Sequence, residues 1–163
     1  MRSKIKIKRF DKSLPLPKFY SDGAVAFDLY SREAASIKPM HVDRLAANIS
    51  VKVPDGYMLL IRDKSGFSFN NKCIVMGGII DQDYCGPDDE ILVQLLNLND
   101  KDVVIRFGER IAQAIFVKID NTFLWDEVEN MSDKNRGGFG STGKMVNLND
   151  DKSGIEGVMY FGD

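Results

Sequence analysis

The chain has little of the side-chain chemistry on which many enzymes depend. Among 163 residues it contains one histidine and two cysteines. Cys73 and Cys85 lack the Cys-x-x-Cys spacing of a zinc or redox site, so we expect reduced thiols. His41 follows Pro39-Met40 in the sequence, where a solvated or turn position is favoured over a catalytic one. Any catalytic base must therefore be sought among the carboxylates.

Long apolar segments and a strong charge of one sign are also missing. No run approaches the roughly 18 to 20 apolar residues of a membrane-spanning helix, and the lysine-rich N-terminus lacks the apolar core of a secretion signal. Lys and Arg total 22 against 24 Asp and Glu, a formal charge of −2, which disfavours a broad surface for duplex DNA or anionic lipid. We expect an intracellular protein without nucleic-acid or membrane partners, in which any phosphate contact is local.

The chain does contain a series of short β-type segments. Runs rich in Val, Ile and aromatic residues recur between Ile5 and Ile119, separated by Gly, Pro, Asn or Asp. A chain of this length favours one domain, and these runs predict an all-β sandwich or barrel with one short helix near residues 64–72. The pattern weakens after about Asn121. We expect a β-rich core over residues 1–125 and an extended C-terminal arm over residues 126–163.

The most informative segment lies in that arm. Residues 135–144 read Asn-Arg-Gly-Gly-Phe-Gly-Ser-Thr-Gly-Lys. Glycines let backbone N–H groups turn toward an anion, Arg136 adds a charged fork, and Ser141 and Thr142 add hydroxyl donors. Phe139 has no apolar run to join, so its partner would be a base. A Walker A motif is excluded because methionine follows Lys144. The segment predicts a phosphate-and-base site, with a flexible linker as the alternative.

A second informative segment is Ile79-Ile80-Asp81-Gln82-Asp83-Tyr84, which leaves an apolar strand and enters a turn. On an extended chain Asp81 and Asp83 would share one face, unless a bend intervenes. A carboxylate at a strand end can orient and deprotonate water, and a tyrosine ring can form one wall of a sugar pocket. The alternative is an ordinary Asp-rich exit from a hairpin.

Three further segments place charge beside apolar residues. Ser65 is predicted to cap a short helix whose free N–H groups would face an anion, and Lys64 would add charge beside them. The alternative is that Ser65 is a plain helix cap with no role in binding an anion. Arg110 and Gln113 flank an apolar stretch, and the alternative there is a strand with a surface arginine. Asp28 lies in an apolar run, which is costly unless hydrogen bonds or an ion compensate for its burial.

Taken in order, these five segments resemble the five motifs of the trimeric dUTP pyrophosphatases (dUTPases). The family motifs read Ala-Gly-x-Asp-Leu, Arg-Ser-Gly/Ser, Gly-Val-Ile-Asp-x-Asp-Tyr-x-Gly, Gly-x-Arg-Ile-Ala-Gln and Arg-Gly-x-x-Gly-Phe-Gly-Ser-Thr-Gly. The likeness spans about residues 5 to 143. The third and fifth motifs are nearly complete, and the fourth is intact at residues 108–113.

The resemblance implies a jelly-roll-like subunit in a homotrimer whose active sites are shared between chains. Asp81 would orient the water that attacks the α-phosphorus of dUTP and would meet the deoxyribose 3′-hydroxyl. Tyr84 would stack beneath the sugar and leave no room for a ribose 2′-hydroxyl. Backbone groups of the hairpin over residues 73–84, including those of Gly78 and Ile80, would select uracil. The products would be dUMP and pyrophosphate.

The resemblance divides the remaining site residues into two groups and adds a metal. Phosphate contacts or their support fall to Lys64, Ser65, Gly66, Arg110 and Gln113, and the closing segment comprises Arg136, Phe139, Gly140, Ser141 and Thr142. Asp28 would stabilise the site near the water shell of Mg²⁺. The Mg²⁺ itself would be held mainly by substrate phosphates and water, with no direct protein ligand.

The sequence departs from the family pattern at several places. Lys64 replaces the usual arginine, Ala26 replaces a glycine, about three residues are added after Gly86, and some 20 residues follow Gly143. Two alternatives remain: a relative of dCTP deaminases, and a nucleotide-responsive regulatory module. The latter would contact a protein partner through the insert Pro87 to Glu90 or through the C-terminal tail.

Overall fold

Strands dominate the backbone. The computed structural model describes residues 4–135, 137 and 138, and within these it contains eleven strands and one α-helix. In chain order the elements are β1 (Ile7–Arg9), β2 (Phe27–Tyr30), β3 (Ala35–Ile37), β4 (Val42–Ala46), β5 (Ile49–Val51), β6 (Tyr57–Arg62), α1 (Ser65–Asn71), β7 (Cys73–Met76), β8 (Ile79–Ile80), β9 (Leu92–Asn97), β10 (Val103–Ile105) and β11 (Arg110–Lys118).

The strands of the described residues form four antiparallel sheets. The largest has the order β2-β11-β6-β8, and the second has the order β4-β9-β7. Two-stranded pairs, β1 with β5 and β3 with β10, complete the set. The prediction of an all-β architecture with one short helix is therefore confirmed. The long strand β11 lies between β2 and β6 and pairs with both, so residues at the ends of these three strands come close together.

Alternating burial explains why the segments pair in this way. In β9, Val93 and Leu95 are fully buried, while Leu92 at the start of the strand is exposed. In β6, Leu59 and Ile61 are likewise buried. Burying one such side chain stabilises the fold by roughly 1.5–3 kcal/mol. A shift of one residue in strand register would move these side chains to solvent, which fixes the pairing.

The short helix lies where the sequence predicts it, but it begins differently. Its N-cap is Lys64, with φ −86° and ψ 118°, and no side chain caps its free N–H groups. Ser65 is already the first helical residue, so the prediction that it caps the helix is wrong. Lys64 remains extended because it continues from β6, and this moves the cap position one residue earlier. Phe67 is the buried anchor of the helix.

The hairpin predicted over residues 73–84 does not form, because β7 pairs with β9 and β8 pairs with β6. The tight turn that joins β7 to β8 across two sheets requires two glycines. Gly77 has φ +71° and Gly78 has φ +109°, a region that L side chains rarely adopt. The carbonyl of Gly78 accepts a hydrogen bond from the Ile61 N–H at 2.6 Å. A Cβ added to Gly78 would lie 2.4 Å from the Ile61 carbonyl oxygen. This close approach holds the β7–β8 turn against the end of β6.

The histidine and the cysteines occupy ordinary positions. His41 is exposed in the turn before β4, with Nδ1 2.9 Å from the Pro39 carbonyl oxygen, as expected for a turn residue. Cys73 is buried, and burial raises its pKa. Cys85 is half-buried, and both thiols are free.

The chain divides into two compact units, Met1–Phe123 and Leu124–Asp163. All the strands and the helix described above belong to the first. The boundary predicted at residue 125 and the role of the arm stay predictions. No helix in the described part of the chain is long and apolar enough to cross a membrane.

Candidate functional site

Three charged residues from three predicted motifs meet at one place. Asp28 lies on β2 and is 6% exposed. Its Oδ1 is 3.1 Å from Lys64 Nζ, and its Oδ2 is 3.3 Å from Arg110 Nη1. The two cations supply the compensation that a buried carboxylate requires. Because β2 pairs with β11 and Lys64 follows β6, the sheet order itself brings these residues together.

Gln113 supports the same cluster through the backbone. It is paired in register with Asp28 on one side and with Arg62 on the other. Its Nε2 donates to the Asp63 carbonyl oxygen at 2.9 Å, while Asp63 Oδ1 accepts from the Val75 N–H at 2.7 Å. These bonds fix the backbone immediately before Lys64. The supporting role of Gln113 in the phosphate site stays a prediction.

Two tyrosines that the sequence reasoning missed lie next to the cluster, one against Arg110 and the other bonded to the first. The guanidinium of Arg110 lies 5.5 Å from the ring centre of Tyr20, within range of a cation–π interaction. The hydroxyls of Tyr20 and Tyr30 are 2.9 Å apart. Burial and this hydrogen bond raise the pKa of Tyr30 to about 12. The hydrogen bond to Asp28 raises the pKa of Arg110. A usable signal was present, since Tyr30 closes the strand that carries Asp28.

The cluster is positively charged and open to solvent. Lys64 and Arg110 carry two positive charges against the single carboxylate of Asp28. A shallow cavity of about 260 Å³ lies beside them. Its lining comprises Lys64, Gly66, Phe67, Asn70, Asn71, Glu109 and Arg110. Ser65 and Gly66 are exposed at the start of α1. The Lys64 and Arg110 side chains, beside exposed backbone at a helix start, suit the binding of an anion such as phosphate, while the Glu109 carboxylate in the same lining offsets one of their charges.

The Asp81 segment forms a bent turn. Strand β8 ends at Ile80, and the Tyr84 N–H donates to the Asp81 carbonyl oxygen at 3.3 Å. A bend therefore intervenes, and the extended arrangement of Asp81 and Asp83 on one face does not form. The side chain of Asp81 is exposed. It lines a cavity of about 410 Å³ with Tyr57, Met58, Gln82, Asp83, Ile119 and Asn121.

Several hydrogen bonds hold this turn in place. Gln82 Nε2 donates to the Tyr57 carbonyl oxygen at 2.9 Å. Lys52 Nζ donates to the Gln82 carbonyl oxygen at 3.2 Å. The hydroxyl of Tyr84 donates to the carbonyl oxygen of Glu90 at 3.0 Å. The turn is thus anchored at both ends, while the Asp81 carboxylate remains accessible to water.

The added residues after Gly86 fold onto themselves. The Gly86 N–H donates to Asp89 Oδ2 at 2.6 Å, and the Glu90 N–H donates to the Asp88 carbonyl oxygen at 2.8 Å. The ammonium of Lys8 contacts the Pro87 carbonyl oxygen. The insert is therefore a closed turn tied to β1. Its predicted role in binding a protein partner stays a prediction.

One chain does not bring Asp81 together with the cation cluster. Ile80 pairs with Leu59, the third residue of β6, so Asp81 lies toward the start of that strand, whereas Gln113 pairs with Arg62 at its end, two residues before Lys64. A strand rises about 3.3 Å per residue, so six-residue β6 spans roughly 17 Å. The described residues thus contain two half-sites at opposite ends of one strand.

The predicted closing residues Arg136, Phe139, Gly140, Ser141 and Thr142 lie outside the described residues, and their roles stay predictions. Counting back from Phe139, the family motif places its arginine five residues earlier, which is Lys134 in this chain. Arg136 is two positions closer to Phe139 in the sequence than the family arginine would be. Lys134 is thus a second candidate for the cation of this motif, and residue spacing was the signal that could have found it.

Comparisons with known proteins identify relatives along most of the chain. A family model described as dUTPase matches residues 12–143. The deoxyuridine 5′-triphosphate nucleotidohydrolase of Helicobacter pylori (strain ATCC 700392 / 26695) is 38% identical over 143 residues, covering 86% of this chain and 97% of that protein. The protein of the same name from Dictyoglomus turgidum is 34% identical over 148 residues, covering 86% and 98%.

Solved structures show the same fold at lower identity. A point mutant of the dUTPase from phage 80alpha superposes with a TM-score of 0.75 at 23% identity, covering 86% of this chain and 99% of that one. A point mutant of the dUTPase from phage phi11 of S. aureus, described with a coordinated structural Mg(II) ion, has a TM-score of 0.71 at 18% identity, covering 80% and 100%. The jelly-roll-like architecture expected from the sequence is confirmed by this likeness.

Proposed function

The chain belongs to the dUTPase family, and from this premise we propose that it hydrolyses dUTP to dUMP and pyrophosphate by attack of water on the α-phosphorus. The observation that carries the proposal is the pair of half-sites. One presents an exposed carboxylate and a tyrosine beside the tight β7–β8 turn, and the other presents two cations held by one buried carboxylate. Family membership does not favour the deaminase-like or the purely regulatory alternative.

The first half-site suits the base, the sugar and the water. Asp81 is accessible, and its turn is held by Gln82 and Tyr84, so its carboxylate can orient a water molecule and accept its proton. The β7–β8 turn through Gly78 and the start of β8 offer backbone donors and acceptors to a uracil ring. Tyr84 is 38% exposed, so its ring can offer a flat surface to a deoxyribose. These roles for Asp81, Gly78, Ile80 and Tyr84 are proposals.

The second half-site suits the phosphates. Negative charge develops on the phosphoryl oxygens as water attacks, and donors already in place stabilise it. Lys64 and Arg110 supply such donors because Asp28 holds both of them. Lysine at position 64 binds phosphate as a point charge without the bidentate fork of arginine. The roles in closing over the nucleotide that the family motif implies for Arg136, Phe139, Gly140, Ser141 and Thr142 are also part of this proposal.

The donor set fits a magnesium ion bound through the substrate. In the described residues no group of three His, Cys, Asp or Glu side chains is placed to hold a metal ion. The Asp28 carboxylate already contacts both Lys64 and Arg110, so it suits the outer water shell of the ion. Mg²⁺ binds phosphate oxygens and retains waters, and when bound it would neutralise charge on the triphosphate. Lys64 and Arg110 would share that task, and Asp81 would act on the water.

We propose that three copies assemble and that each site combines half-sites from different copies. The separation of Asp81 from Lys64 along β6 supports this arrangement, because the attacking water and the phosphate donors must meet at one phosphorus atom. Closed cyclic symmetry would repeat the same contact three times.

A panel of nucleotides tests the activity. We expect rapid release of pyrophosphate from dUTP and little from UTP, dCTP or dTTP, with activity lost when Mg²⁺ is chelated and restored on its addition. The measurement is pyrophosphate release, with ammonia assayed in parallel for dCTP. Equal turnover of all four nucleotides would contradict the proposed specificity, and ammonia release from dCTP would support the deaminase-like alternative.

Complementation tests the shared sites. Asp81→Asn and Lys64→Met should each have little activity alone, because each damages a different half-site in every copy. When the two are co-expressed and mix at random, about a quarter of sites receive both intact halves. We therefore expect partial recovery of dUTP hydrolysis in the mixed oligomers, measured by pyrophosphate release.

The matched control pairs Asp81→Asn with a copy that carries both substitutions, since no site then contains an intact Asp81. Native mass spectrometry would establish that the copies mix. Mixed trimers without any gain in activity would show that each site is formed within one chain.

A further inference from the structure

We propose that the ion pair between Arg32 and Glu90 is a positioning pair that sets the place of Tyr84 and thereby the discrimination between dUTP and UTP. This inference rests on the proposed function. Arg32 lies two residues after β2, and Glu90 ends the turn that begins at Asp81. The pair thus joins the strand of one half-site to the loop of the other.

The contact between the two side chains has the geometry of a strong, directional ion pair. Arg32 Nε donates to Glu90 Oε1 at 2.8 Å, and Arg32 Nη2 donates to Glu90 Oε2 at 2.7 Å. Glu90 is 9% exposed, so water competes little for its carboxylate. A bidentate pair fixes the orientation of both groups as well as their distance. The same contact raises the pKa of Arg32.

A third donor ties the carboxylate to a constrained part of the backbone. The Asn48 N–H donates to Glu90 Oε1 at 2.8 Å. Asn48 is buried and has φ +67°, and its side chain bonds the backbone of Asp11 at 2.6 and 3.0 Å. Glu90 is therefore held by rigid partners on two sides. Its main chain cannot shift without breaking charge-assisted hydrogen bonds.

The link to the sugar site passes through the main chain of Glu90. Its carbonyl oxygen accepts the hydrogen bond from the Tyr84 hydroxyl at 3.0 Å. The Tyr84 ring is partly exposed, so this bond is what fixes its far end. A ring held at one height can exclude a ribose 2′-hydroxyl, whereas a ring free to tilt admits it. The ion pair thus acts on selectivity through Tyr84 without touching the substrate.

Arg32→Lys and Glu90→Gln test the inference, with Tyr84→Phe as the milder variant that removes only the hydroxyl. We expect each to reduce the ratio of kcat/KM for dUTP to kcat/KM for UTP by roughly 3- to 10-fold, the effect of losing one hydrogen bond. Asp102→Asn is the control, because its carboxylate accepts a hydrogen bond from Ser36 Oγ in β3, a strand that pairs with β10. The control should leave the ratio unchanged.

A double-variant cycle separates positioning from simple stabilisation. If the pair acts through the Tyr84 hydroxyl, adding Arg32→Lys to Tyr84→Phe should change the ratio no further, although it lowers the melting temperature. An unchanged ratio in Arg32→Lys and Glu90→Gln, or full additivity in the double variant, would overturn the inference. A wild-type protein that does not prefer dUTP would instead refute the proposed function.

Discussion

Asp81→Asn is expected to abolish most dUTP hydrolysis while leaving nucleotide binding nearly intact. The substitution keeps the shape of an exposed side chain and preserves the hydrogen bonds of Gln82 and Tyr84 that hold the turn. It removes the group that accepts a proton from the attacking water. General-base catalysis contributes about 10²- to 10⁴-fold, so we expect a fall in kcat of that size.

Single-turnover release of pyrophosphate and titration with a non-hydrolysable imido analogue of dUTP would separate catalysis from binding. Asp102→Asn provides the control, because this carboxylate accepts a bond from Ser36 Oγ at 3.2 Å on a different sheet. Near-normal kcat with weakened binding would show that Asp81 binds the nucleotide without activating water.

Gly78→Ala is expected to destabilise the fold more than the same substitution at Gly77, the other glycine of the β7–β8 turn. Its Cβ would lie 2.4 Å from the Ile61 carbonyl oxygen, and its φ of +109° is unfavourable for any L side chain. Backbone strain of this kind costs about 1–3 kcal/mol, and overpacking adds typically about 1–3 kcal/mol. We expect the free energy of unfolding to fall by about 2–5 kcal/mol, measured by urea denaturation.

Gly77→Ala separates the two contributions. Gly77 also has a positive φ, of +71°, but its added Cβ would meet nothing closer than 3.8 Å. It should lose only about 1–2 kcal/mol, the conformational part. Equal losses of unfolding free energy at the two positions would mean that the β7–β8 turn moves away from β6 and relieves the clash. In that case Gly78→Ala should also raise the Kd for dUTP, because the displaced turn would no longer hold its backbone groups in place for the base.

The sheet architecture was predictable because the pattern of apolar residues within a short segment indicates which face of a strand is buried. Alternation such as that of Val93 and Leu95 in β9 requires no knowledge of distant residues. The helix was predictable for a similar reason, yet its first residue was misplaced because β6 keeps Lys64 extended. That detail depends on a partner strand, which local propensity does not include.

The contacts around the site were predictable only in part. The motifs assigned Asp28, Lys64, Arg110 and Gln113 to one site. In the structure Asp28 forms ion pairs with Lys64 and Arg110, while Gln113 bonds the Asp63 carbonyl oxygen beside Lys64. Tyr20 was overlooked, because its loop position says nothing about a cation 5.5 Å away. Arg32 and Glu90 are 58 residues apart, and no pattern in either neighbourhood announces their contact.

Taken alone, the sequence determined the fold class, the family and the residue types of the site, because periodicity and motif spacing are properties of short segments. Tertiary structure alone decided which charges meet, where the Asp81 turn bends and which residues hold Tyr84. The physical reason is that ion pairs and hydrogen bonds depend on distances of a few ångströms, and sheet pairing sets these distances between residues far apart in the chain.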